Sequence, residues 1–280
     1  TDDHTARPGT GYKQYERRKM TFATGVKSKM WEYQYAAEDP NFPEIPKITP
    51  GESQPDSERV SSFVYPGGIL AVHAEGRGKE EIWNALKNKN VYGTSGPRIL
   101  LWFDLINSPE GQVPMGSEIT MSQNPRFIIK AAGSFKQNPG CSNESIDSLS
   151  SERLEYLCAG ECYNPSNERE VIEKIEIIKI TPQIYAGEAV SPLIQDPWKS
   201  IPCQGTGECI VEFEDQNFSR DSVYYVRAIQ NPTPAINGST LSKRDNFQLC
   251  KGSFRTNLKD DCLSMANERA WSSPIYVNKP

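Results

Sequence analysis

Histidine is scarce in this sequence: His4 and His73 are the only two among 280 residues. No cysteine occurs before Cys141, and both histidines lie far upstream of the seven cysteines. That separation, with close cysteine spacings longer than Cys-x-x-Cys, argues against a Cys/His zinc knuckle. No apolar run approaches the length of a membrane-spanning helix, so a helical span is not expected. Positive charge is not in excess: 31 Lys and Arg face 36 Asp and Glu, for a net charge of −5 and a pI near 5.3. Without a basic stripe, nucleic acid is a disfavoured partner. There is no Gly-x-Ser-x-Gly elbow, phosphate-binding P-loop or dinucleotide fingerprint; "SGPRI" at 95–99 lacks the elbow frame.

What is present is enough for one large domain or two ordinary ones. Hydrophobic residues at 36% can fill a core, which argues against wholesale disorder. The 21 prolines and 20 glycines point to many turns and long loops. The cysteines sit in polar, turn-rich stretches such as "LCAGECYNPS" and "IPCQGTGEC". Disulfides in an oxidising compartment are the expectation, with a periplasmic or secreted location. The expected pairs are Cys203–Cys209 and Cys250–Cys262, with two of Cys141, Cys158 and Cys162 joined.

Residues 36–62 are proline-rich and polar and read as a surface excursion. Then "ILAVHA" reads as a short strand, "KEEIWNALKN" as a helix with acids in its first turn, and "RILLWFDL" as a buried strand. Strand, helix and strand in succession fit an α/β unit. From about residue 106 the pattern changes to strands and turns: "RFIIKAAGSF", "KIEIIKITPQIY", "CIVEFED", "SVYYVRAIQNP" and "SPIYV". "SLSSERLEYLC" is the best short helix. The expected fold is α/β plus all-β, with 1–105 as the first part and a β-sandwich over 106–280.

Several residue groups could carry chemistry. In the opening "TDDHTARPGTGYK", Asp2 and His4 stand at i and i+2, so an extended backbone turns both to one side. A carboxylate with an imidazole suits zinc, manganese or iron. Arg7 and Lys13 add an anion clamp, and Gly9 and Gly11 permit close backbone approach. His73 ends a strand and is followed by Glu75 and Arg77. It reads either as a pocket contributor or as a hydrogen-bonded histidine on the face of Ile69 and Ala71. "VYGTSGPRI" gathers Thr94, Ser95, Gly96 and Arg98, either to hold an oxyanion or to make a tight turn. Asn143, Asn217 and Asn237 are sequons.

Read together, "DDHTARPGTGYK", "GGILAVHAEGRGKEEIWNALKNKNVYGTSGPRILLWFDL", "VPMGSEI", "YYVRAIQNPTPA" and "ERAWSSPIYV" resemble a bacterial family of uncharacterised proteins allied to the PHP (polymerase and histidinol phosphatase) metallohydrolases. The resemblance covers nearly the whole chain. It implies a distorted PHP-like (β/α) barrel holding two or three divalent transition metal ions. Asp2 and His4 match the last metal motif of that barrel, and its earlier motifs are absent. The chain is accordingly expected to be the C-terminal part of such a protein, completed by an N-terminal part of the same precursor. On this reading 1–105 belongs to the barrel and 106–280 is an appended, disulfide-stapled β-sandwich. The implied activity is metal-dependent hydrolysis of phosphate esters or related ester bonds. Arg7, Lys13, His73, Arg77, Ser95 and Arg98 would contact a small anionic substrate. The alternative is a non-catalytic extracellular module that binds a glycan, a cell-surface partner or copies of itself.

Overall fold

The computed structural model describes residues 68–158, 162–236 and 263–280. The chain divides into two compact units. One comprises residues 69–136, 166–231 and 268–280; the described residues of the other are 68, 137–158, 162–165, 232–236 and 263–267.

The first unit begins with β1 (Ile69–Val72), α1 (Lys79–Lys87) and β2 (Val91–Thr94). Helix α1 carries Glu80 and Glu81 in its first turn and Lys87 in its last, matching the polarity of the helix dipole. It ends where the Asn88 amide bonds back to Asn84 and Lys89 takes a left-handed φ of 59°. Only Ala85 of α1 is buried; Trp83 is exposed. Next come β3 (Leu100–Ser108), β4 (Gly111–Pro114), β5 (Glu118–Thr120) and β6 (Arg126–Ala132). A ribbon of β7 (Phe135–Pro139) and β8 (Tyr163–Arg169) flanks two short helices, α2 (Asn143–Ser148) and α3 (Ser151–Cys158). The chain continues through β9 (Ile172–Ile180), β10 (Ile194–Pro202), β11 (Glu208–Glu214), β12 (Ser222–Ile236), β13 (Leu263–Ser272) and β14 (Ile275–Asn278).

Apart from the two-stranded β7–β8 ribbon, these strands build two sheets. The larger runs β1-β2-β13-β12-β14-β5, with β9 on β12 and β10 beyond β9. The smaller runs β11-β6-β3-β4 and is antiparallel throughout. Alternation turns Ile175, Ile177, Tyr224, Val226 and Ala228 of the large sheet inward. Leu101, Phe103, Leu105, Phe127 and Ile129 of the small sheet meet them in one core. Phe127 lies at its centre, with ring centroids 5.3 Å from Phe103, 4.7 Å from Phe213 and 4.8 Å from Tyr224. This is a β-sandwich.

One polar group sits inside the sandwich. Lys179 and Tyr224 oppose each other on β9 and β12, and Asp215 follows β11 of the other sheet. Lys179 Nζ and Tyr224 OH each donate to Asp215 Oδ2 at 2.5 Å, and the Asn217 amide donates to Oδ1 at 3.0 Å. Burial pushes the Asp215 carboxyl up, but these donors outweigh it and hold its pKa below the ordinary value. Burial, reinforced by Asp215, drives the Tyr224 phenol well above its ordinary value.

In the second unit, Ser142 Oγ caps α2 by accepting the Ser145 amide, and Ser150 Oγ accepts the Arg153 amide at α3. Cys141 and Cys162 form a disulfide, so two of the three remaining cysteines do pair. Cys203–Cys209, the expected short bridge, forms in the first unit. Cys250 and Cys262 lie outside the described residues, as does the side chain of Cys158.

Two expectations differ from the architecture. The strand–helix–strand segment is not a parallel α/β unit: β1 pairs antiparallel with β2, Ile69 opposite Thr94 and Val72 opposite Val91. "RILLWFDL" is β3 and belongs to the other sheet. The strand that intervenes is "VYGT", too short and too glycine-rich to declare itself in the pattern. The division placed near residue 106 falls within β3, inside a single compact unit. The apolar run and the alternation that follows it are one continuous strand with one face buried. The barrel expected over 1–105 rests largely on residues outside those described.

Candidate functional site

The turn after β2 and the middle of β13 make the most deeply engaged polar cluster among the expected site residues. Ala270 opposes Thr94 and Ser272 opposes Tyr92. Glu268, two residues before Ala270, therefore faces the same side and reaches the residue that follows Thr94. Glu268 is 4% exposed and Ser95 is 8% exposed. Ser95 Oγ donates to Glu268 Oε2 at 2.5 Å and accepts the Arg269 amide at 2.9 Å. The Ser95 amide donates to the Arg269 carbonyl at 2.9 Å, and Thr94 Oγ1 accepts the Gly96 amide at 3.2 Å. Ser95 is thus bound on both sides by β13, in an arrangement that orients a buried carboxylate.

His73 is held differently. Its Nε2 lies 2.8 Å from the Leu101 carbonyl, and its ring packs 5.2 Å from Tyr92 and 5.7 Å from Trp102. It is a half-buried, hydrogen-bonded histidine. Its amide donates to Asn90, beyond one end of β2, whereas Ser95 follows the other end. At about 3.4 Å per residue, roughly 17 Å of strand separates these points. The β1–β2 pair therefore does not gather His73 and Ser95 at one place. Arg77 and Arg98 are exposed. Asp2, His4, Arg7 and Lys13 lie outside the described residues.

Near His73, Asp104 stands on the outward side of β3. Burial raises its pKa, partly offset by the Gln112 amide at 2.9 Å and by Lys130 and His73. A separate polar cleft of about 430 Å³ opens where the α1–β2 connection meets β4 and β5. Lys87, Lys89, Asn90, Glu110, Ser117 and Glu118 line it. Gly116 fixes its floor at φ +90°, where a Cβ would lie 2.5 Å from the Asn88 carbonyl oxygen and 2.6 Å from that of Lys89. Among the described residues, none of those expected from the sequence lines this cleft.

No group of three or more His, Cys, Asp or Glu side chains suited to a metal ion occurs among the described residues. The expected ligands Asp2 and His4 fall outside them, and their donor set of one carboxylate and one imidazole suits a borderline divalent ion. Sequence reasoning missed Glu268, Asp215 and Lys179. The available signal was inward register: Glu268 shares alternation with Ala270 and Ser272, and Lys179 with Ile175 and Ile177.

A family model described as "Protein of unknown function (DUF3604)" matches residues 1–139 and 200–279. No curated protein and no solved structure matches the chain.

Proposed function

Because the chain belongs to the DUF3604 family of proteins of unknown function, we propose that it is part of a secreted or periplasmic metal-dependent hydrolase allied to the PHP enzymes. Its substrates would be phosphate esters or related ester bonds. The observation that carries this reading is the Asp2-x-His4 pattern with Arg7 and Lys13 beside it, inside the family match. Asp2 and His4 would help hold a zinc, manganese or iron ion, one of two or three in the complete protein. Such an ion, when bound, supplies a water of near-neutral pKa and polarises the scissile bond. Arg7 and Lys13 would orient the substrate's negative charge, with the exposed Arg77 and Arg98 as further anion contacts. His73 and Ser95 would act by position, since the Leu101 carbonyl engages one and Glu268 the other. The two disulfides support an oxidising location. Among the described residues no helix is long and apolar enough to cross a membrane.

The test is metal analysis of the purified protein together with hydrolysis of p-nitrophenyl phosphate and bis-p-nitrophenyl phosphate. The reading expects bound transition metal, lost with turnover in the Asp2→Ala/His4→Ala variant. Metal content and turnover that ignore this double substitution would overturn the assignment of Asp2 and His4. A second reading, a non-catalytic extracellular module, is favoured by exposed Trp102 and Ile210 on the small sheet.

A further inference from the structure

We propose that the outward face of the four-stranded sheet binds a neutral oligosaccharide, with the Trp102 indole as its stacking platform. The inference rests on the binding-module reading and is independent of the hydrolase reading. The inward side chains of this sheet fill the core, so strand alternation leaves the other set facing solvent. Register then arranges that set in rows. Trp102 opposes Lys130, and Lys130 opposes Ile210. The next row is Asp104, Ile128 and Glu212. With strands about 4.8 Å apart, each three-strand row spans about 10 Å, the scale of two sugar rings.

The chemistry of the face selects the ligand class. Trp102 is 38% exposed, and His73 packs against it with centroids 5.7 Å apart and planes tilted by 41°. His73 is itself anchored to the Leu101 carbonyl, so the indole is set in place before a ligand arrives. An aromatic face carries partial negative charge and attracts the weakly positive C–H face of a pyranose. Around it stand donors and acceptors suited to hydroxyl groups. Gln112 Nε2 donates to Asp104 Oδ2 at 2.9 Å, which fixes both groups in one orientation. Lys130 and Arg126 are exposed, and Arg126 Nη2 lies 3.8 Å from Glu212 Oε2. Glu208 and Glu214 alternate on β11 with Ile210 and Glu212, so with Asp104 four carboxylates share this face with Arg126 and Lys130, an excess of negative charge that turns away an anionic ligand. Its large exposed apolar groups, Trp102 and Ile210, are separated by Lys130. That is too interrupted for the apolar centre of a protein interface.

The experiment is calorimetric titration of the full chain with neutral hexasaccharides of glucose, xylose, mannose and N-acetylglucosamine, with a uronic acid oligomer as the charged control. Sedimentation of the chain alone is measured alongside. At least one neutral sugar is expected to bind. Trp102→Ala should weaken it about tenfold or more, as loss of a central aromatic anchor does. Gln112→Ala, on an exposed strand where folding is not at issue, should weaken it several-fold. Trp83→Ala, on α1, should leave it unchanged. Absence of neutral-sugar binding, preference for the uronic acid oligomer, or binding indifferent to both Trp102→Ala and Gln112→Ala would overturn the proposal. If sugars fail but the chain self-associates in a Trp102-dependent way, the oligosaccharide falls while the module reading stands. If neither occurs, the oligosaccharide falls and the module reading is reduced to a cell-surface partner.

Discussion

Asp215 offers the sharpest test of how the sandwich is held together. It is fully buried and receives the Lys179 ammonium and the Tyr224 hydroxyl at 2.5 Å each, joining a residue of one sheet to two of the other. Asp215→Ala removes the acceptor and leaves an ammonium and a phenol without it. Breaking a buried ion pair in this way costs about 3–5 kcal/mol. Lys179 keeps a little solvent access, with its side chain 11% exposed, which favours the lower half of that range. Asp215→Asn keeps an acceptor for Tyr224 but loses the charge, and should cost about 1–3 kcal/mol. The assay is guanidinium unfolding followed by tryptophan fluorescence, because Trp198 lies under Lys179 at 5.3 Å and 6.2 Å from Tyr224. With a slope of about 4 kcal/mol/M, the alanine variant should shift the midpoint down by about 1 M. The pH dependence has a definite sign. Asp215 is depressed in the folded state, so its contribution is complete above the ordinary aspartate pKa of about 3.9. It is lost as pH falls through the lower folded value. The gap between parent and Asp215→Ala should therefore narrow below about pH 4. A midpoint shift under about 0.25 M, or a gap that widens in acid, would refute the network as a structural tie.

Four further outcomes follow from the same geometry. Phe127→Ala should cost about 3–5 kcal/mol by chemical denaturation, because the ring contacts Phe103, Phe213 and Tyr224 at the centre of the core. Cys203→Ala with Cys209→Ala should cost only about 2 kcal/mol, since the bridge closes a short loop of sequence separation 6. Gly116→Ala should lower stability by at least about 2 kcal/mol in a thermal melt, from its left-handed φ and the backbone oxygens a Cβ would meet. Glu188 is held down to about 2, chiefly by hydrogen bonds from Arg220 and also by the Ile184 amide. Its grip on the segment after β9 is complete above the ordinary glutamate range and weakens as pH falls toward 2. Limited proteolysis of Glu188→Ala near neutral pH should show faster cleavage within residues 181–193.

Much of the sandwich was legible from local pattern. "RFIIKAAGSF", "CIVEFED" and "SPIYV" alternate or run apolar as strands do, and each forms a strand. The helix at "KEEIWNALKN" follows from its spacing and end charges, and Cys203–Cys209 from proximity in a turn. These features depend on neighbours in sequence, so the residues alone determine them. Pairing across the fold does not work that way. "VYGT" becomes a strand only because β1 and β13 offer hydrogen bonds on either side, which no property of four residues announces. Likewise Ser95 and Glu268 stand 173 positions apart, and it is the register of β13 against β2 that places the hydroxyl on the carboxylate. Lys179 and Asp215 look like ordinary surface charges along the chain. Their burial is decided by which way each strand faces once two sheets close on one another, because only then does water leave and each charge require the other.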